Sequence, residues 1–172
     1  MNKTKKKPIN KTKQQPIIGI AVFIGDINGI IKLTEINKGI KIELKLSGLP
    51  KNKLLGFHCH EAGDLSEQCH SCCAHFNPTN KSHGDLNHIN SHIGDFGNIQ
   101  TDENGNCNQT LISKYAKLRG RHSIMGRSLV IHKETDDLGL TDHPDSKTTG
   151  NSGARIACSI IGYSRDSLLY FN

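Results

Sequence analysis

A chain of 172 residues fits one domain with its own core, and no apolar run in it is long enough to cross a bilayer as a helix. Only 5% of the residues are aromatic and tryptophan is absent, so Ile, Leu and Val must build that core. The net charge of +6 sits in the first 16 residues, which hold six lysines and no acid; the rest is neutral, which argues against nucleic acid as a partner of the folded part.

Residues 1–16 read as a disordered tail, with nuclear targeting or nucleic-acid contact as alternatives. No apolar stretch follows this basic start before Ile17, so a secretory signal is not expected and a cytoplasmic location is. A domain is expected over 17–165, with 166–172 as a short C-terminal extension. Ile17 to Ile24 is apolar and β-branched, the turn residues Gly25 to Gly29 follow, and Ile30 to Ile36 completes a hairpin. Ile40 to Leu46 alternates apolar and polar side chains, which marks a strand with one wet face. Further strands are expected near 54–60, 96–101, 107–113, 124–132 and 156–164, with a turn at 102–106. Eight short strands separated by turns argue for an all-β antiparallel sandwich or barrel. Two stretches, 62–93 and 133–155, are too long to be turns and are expected to carry function.

His58 and His60 are one residue apart on a predicted strand, so both side chains leave the same face and can grip one metal, while Cys59 points into the core. His75, His83, His92 and Asp95 follow in or just after the Gly/Asn/Ser-rich first loop, and His132 ends the apolar run from Ser128. Many imidazoles with one carboxylate suggest a mixed nitrogen/oxygen site for zinc, copper or both. His70, His88, His122 and His143 read as surface residues. Six cysteines leave the disulfide pairing open.

The ordered segments GFHCHEAGD, HFNPTNKSHG, HIGDFGN, GRSLVIHKETDDLG and GNSGARIAC, spread over roughly residues 17 to 165, resemble copper/zinc superoxide dismutase. The resemblance implies an eight-stranded Greek-key sandwich and a redox enzyme that disproportionates superoxide. Position by position it implies copper on His58, His60, His75 and His132, and zinc on His75, His83, His92 and Asp95, with His75 shared and taking part in catalysis. It further implies that Asp136 accepts hydrogen bonds from His58 and His83, that Arg155 docks the anion, that Thr149 narrows the entrance, and that Cys69 pairs with Cys158. Cys72, Cys73 and Cys107 have no role in the resemblance.

Two departures and two partners complete the reading. Thr148 stands where many relatives have a guiding lysine, which makes Lys147 the candidate substitute. Ala154 and Ile156 replace the prolines that flank the arginine in chaperone-dependent relatives, so copper loading without a dedicated chaperone is expected. A homodimer is expected through Ile20, Val22, Ala62, Met125, Gly126, Ile161 and Tyr163. A metallochaperone or decoy lacking a copper ligand or the arginine is the rival reading, and this chain lacks neither. Cys69-His70-Ser71-Cys72 is a second, weaker rival, as an isolated CxxC.

Overall fold

The computed structural model describes residues 15–168, so most of the lysine tail lies outside the described residues. Among the described residues nine strands form two antiparallel sheets. The first is ordered β6-β3-β2-β1-β9 and the second β5-β4-β7-β8. The strands are β1 (Ile18–Phe23), β2 (Asn28–Glu35), β3 (Ile40–Ser47), β4 (Leu54–His60), β5 (Asp95–Gln100), β6 (Cys107–Ser113), β7 (Ser128–His132), β8 (Arg155–Ile160) and β9 (Gly162–Tyr163). Two short helices, α1 (Ser146–Thr149) and α2 (Arg165–Leu168), decorate the loops.

The alternation seen in the sequence becomes the two faces of the first sheet. Ile40, Ile42, Leu44 and Leu46 of β3 are buried while Lys41, Glu43 and Lys45 face outward, and β1 and β2 follow the same period. Phe57, Phe96, Ile99, Leu129 and Ile131 answer from the second sheet and close an aliphatic core. β5 lies against β6 and β1 against β8, so the sandwich is nearly a barrel. β7 returns beside β4 after the chain has left β5 for β6 in the first sheet, which is the Greek-key order.

Two predicted strands are shorter than their apolar runs. The segment expected to pair over 156–164 divides at Ile161: β8 stays in the second sheet, and β9 joins β1 in the first. Ile161 is buried at the break, where its N–H donates to the Arg127 carbonyl and its own carbonyl accepts from Gly126 N–H. The segment expected from 124 begins pairing only at Ser128, because Ile124 donates to the Lys117 carbonyl and Gly126 (φ 76°) turns the chain. Ser167, beyond the expected domain boundary, is buried against β1 and exchanges hydrogen bonds with the backbone of Ile18. Among the described residues no helix is long and apolar enough to cross a membrane.

Candidate metal centre

β4 is buried along both faces after Leu54, with Leu55, Phe57 and Cys59 in the core and His58 and His60 under the loops. Its neighbours deliver the remaining imidazoles. β7 pairs His60 with Ser128 and runs on to His132, while an isolated bridge sets His75 beside His60 on the other edge. Phe76 N–H donates to the Cys59 carbonyl at 2.8 Å, and a register shift, with one extra residue in β5, brings His58 opposite Asp95. All six imidazoles and Asp95 are buried.

The partners of each ring fix its tautomer, and the tautomers leave lone pairs facing one another. His60 Nδ1–H donates to the Cys73 carbonyl and His132 Nδ1–H to the Gly153 carbonyl. Both Nε2 atoms are therefore bare, and they lie 3.3 Å apart. His58 Nε2–H donates to Asp136, which leaves its Nδ1 buried without a partner, as is His75 Nε2. Four bare nitrogens converging in this way are repulsive unless a cation sits among them, so the group fits a metal ion.

A second group converges on Asp95. Its Oδ2 accepts from the backbone N–H groups of Gly84 and His92, which aims Oδ1 at the Nδ1 atoms of His75, His83 and His92, at 3.0, 3.0 and 3.1 Å. Four tetrahedral donors at zinc-nitrogen distance would stand roughly 3.3 Å apart. His92 Nε2–H donates to the Lys81 carbonyl and His83 Nε2–H to Asp136, so both Nδ1 atoms present lone pairs. His83 Nδ1 is near Asp95 but out of line for a hydrogen bond. Among the described residues two groups of four donors lie within 4.8 Å of one another: His58, His60, His75, His132 and His58, His75, His83, Asp95. His58 is near enough to enter both groups. His92 stands outside both groups, with its Nδ1 3.1 Å from Asp95 Oδ1.

Asp136 spans the two groups, accepting from His58 Nε2 through one oxygen and from His83 Nε2 through the other, each at 2.8 Å. Gly150 lies against this pair with φ 67°, and a Cβ there would collide with Asp136 and His83. Burial lowers His60 to about 2 and His132 to about 4, and lowers His58 and His75 as well. At His83 burial acts in the same sense, but Asp136 and Asp95 outweigh it and raise the ring to about 9. Burial would raise Asp95, yet the imidazoles of His75, His83 and His92 gathered on its Oδ1 hold it far below the usual carboxylate range. The second pocket thus attracts positive charge and the first refuses protons.

A cleft of about 440 Å³ opens on the first group, lined by His60, His75, His132, Thr149, Asp145 and Arg155 among others. Arg155 is held by the carbonyls of Cys69 and Cys73. Lys147 does not line this cleft, its ammonium being bonded to the Gly139 carbonyl, and no lysine is among the described residues that do.

Residues 27–161 match the family described as copper/zinc superoxide dismutase. The chain belongs to that family. A superoxide dismutase of Paramecium bursaria Chlorella virus 1 is 44% identical over 159 residues, covering 92% of this chain and 84% of the relative. An enzyme of the same name from Debaryomyces hansenii is 42% identical over 84% of this chain and 97% of its own, and an extracellular one from Drosophila melanogaster is 40% identical over 88% of each. The solved structure of the clock protein EA4 superposes with a TM-score of 0.84 at 42% identity, covering 91% of this chain and all of the other. This copper/zinc superoxide dismutase has the Cys69–Cys158 disulfide, which joins the first long loop to β8. Of the free cysteines, Cys59, Cys72 and Cys107 are buried and Cys73 is exposed. The sequence reading missed the carbonyls of Cys73, Gly153 and Lys81 as the groups that orient the rings, since a backbone acceptor has no residue-type signature.

Proposed function

We propose that superoxide is disproportionated to dioxygen and hydrogen peroxide beside Arg155, with copper held by His58, His60, His75 and His132, and zinc by His75, His83, His92 and Asp95. The observation that carries this division is the facing pair of bare Nε2 atoms on His60 and His132, in a cleft that also contains Arg155. When bound, copper supplies the one-electron couple, and zinc, which has no redox chemistry of its own, supplies only charge. Arg155 gives the incoming anion a fixed guanidinium, anchored from behind by two carbonyls, and Thr149 narrows the approach. His75 is the shared ring: Nδ1 is engaged with Asp95, and Nε2, which has no protein partner, can carry a proton and release it to the peroxide. Asp136 keeps His58 and His83 in the required tautomers.

In metal-loaded protein, His132→Ala should abolish dismutation above the level of free copper and leave zinc in place. Retention of activity, or joint loss of both metals, would refute the division.

Three finer readings go with this function. A homodimer is supported by the outer face of β1 and its neighbours, where Val22, Ile160 and Tyr163 are between 39% and 48% exposed; Ile161 is buried within the subunit and serves the interface only indirectly. A monomeric mass at micromolar concentration, with metals and disulfide intact, would end that reading. A cytoplasmic setting is supported by four free thiols against one disulfide, the pattern of a reducing compartment, and extracellular relatives make fractionation the test. Independence of a copper chaperone is supported by Ala154 and Ile156 on either side of Arg155, which keep the backbone N–H and the free φ that prolines would remove. Active, oxidised enzyme from cells lacking the chaperone is the expected result.

A further inference from the structure

A second cleft, of about 310 Å³, lies between the first long loop and the β6–β7 connection, lined by Lys81, Lys114, Lys117, His122, Tyr115 and Thr79 among others. No carboxylate lines it, and among the described residues none of the three lysines forms an ion pair. Because the chain beyond its first 16 residues is neutral overall, three lysines around one recess with no carboxylate partner, one of them with its ammonium on the Ile89 carbonyl, are a local concentration of positive charge.

The walls are fixed. Asn87 ties them together, donating to the Ile112 carbonyl and accepting from Lys114 N–H. The Lys81 ammonium donates to the Ile89 carbonyl, and its backbone is clamped on both sides by Asn77. Lys117 is held by Ile124 N–H and a bridge to Ser123. The volume is at the small end of ligand sites, which suits a compact and highly charged group. Lysine recognises phosphate as a point charge, and the Tyr115 and Thr79 hydroxyls can add hydrogen bonds to its oxygens.

We propose that this cleft binds a small polyphosphate-bearing anion, of the pyrophosphate or nucleoside polyphosphate type. Three ammonium groups match three or more negative charges, and a singly charged anion would leave most of that field unused.

The experiment is calorimetric titration of the metal-loaded enzyme with pyrophosphate, ATP and sulfate at physiological ionic strength, repeated on a Lys114→Gln/Lys117→Gln variant carrying the same metals. The variant also controls for chelation, since any metal stripping would be the same in both proteins. Pyrophosphate should bind at least tenfold more tightly than sulfate, and the variant should lose at least tenfold while its melting temperature and dismutation rate stay unchanged. ATP equal to pyrophosphate assigns recognition to the phosphates alone, and tighter ATP adds contact with the base. Pyrophosphate no tighter than sulfate, or binding that survives in the variant, overturns the proposal. A variant that instead loses dismutation rate with unchanged pyrophosphate binding overturns it too, and makes the lysines part of superoxide steering.

Discussion

His60 and Arg155 hold the same carbonyl oxygen: that of Cys73 accepts from His60 Nδ1 at 2.9 Å and from Arg155 Nη2 at 2.5 Å. One peptide unit therefore sets the orientation of both a candidate copper ligand and the arginine proposed to dock the anion. Cys73 achieves this at φ 64° and ψ −148°, a region that side chains disfavour by about 1–3 kcal/mol.

Cys73→Gly should relieve that strain. Glycine costs roughly 0.5–1 kcal/mol through the unfolded chain, so a net gain of about 1 kcal/mol is expected, read as a higher urea midpoint with turnover unchanged. Cys73→Pro, which locks φ near −65°, should displace the carbonyl and cut activity more than tenfold. A Cys73→Gly variant less stable than the parent would show that the thiol and not the backbone matters.

Asp136→Asn leaves one carbonyl oxygen to serve two imidazole N–H donors. Loss of such an orienting partner weakens metal binding by about 10- to 100-fold, and here both metals should be affected because the proposed division puts His58 on copper and His83 on zinc. Gly150→Ala should act the same way by pushing Asp136 off His83. Competition with a chelator, followed separately for copper and zinc, checks the pair; loss of one metal alone would contradict it.

The cleft mouth has Thr148 and Asp145, while Lys147 is turned to Gly139. Thr148→Lys should raise the rate with superoxide severalfold at low ionic strength and progressively less as salt screens beyond about 8 Å. An equal rise at all salt concentrations would point to something other than steering.

Metal-free protein should lose stability on acidification. His60, His132, His58 and His75 have lowered folded values, so below their unfolded value near 6.5 the unfolded chain binds more protons and stability falls with pH, through about 4 for His132 and on to about 2 for His60. His83, raised to about 9, works in the opposite sense: its contribution is present below 6.5 and is lost as pH climbs through 9. Four rings outweigh one, and the urea midpoint should be lower at pH 5 than at pH 7 by the equivalent of a few kcal/mol. An unchanged or higher midpoint at pH 5 would mean that the rings are solvated in the metal-free state.

Much of the centre was legible because strand geometry is legible. The one-residue spacing of His58 and His60 on β4 dictated a shared face, and the burial of Cys59 opposite them follows from the same alternation. The break at Ile161 was not legible. Ile156, Ala157, Ile160, Ile161 and Tyr163 read as one apolar run, and only backbone bonds to Gly126 and Arg127 divide it. The fate of Lys147 was equally hidden, since a lysine beside a cleft and a lysine bonded to a distant carbonyl have the same one-letter context.

Cys69 and Cys158 lie 89 residues apart in the chain. Ribosomes add about 5–20 residues each second, so a nascent subunit spends roughly 4–18 s with the first thiol made and the second not yet in existence. His58, His60, His75, His83, Asp95 and His132 are all synthesised inside or just ahead of that interval, before Arg155 exists to be anchored to the Cys69 and Cys73 carbonyls. The order of the sequence thus makes the candidate metal pocket older than the arginine at its mouth, and an ion that arrives during translation meets side chains that are not yet covalently tied to β8.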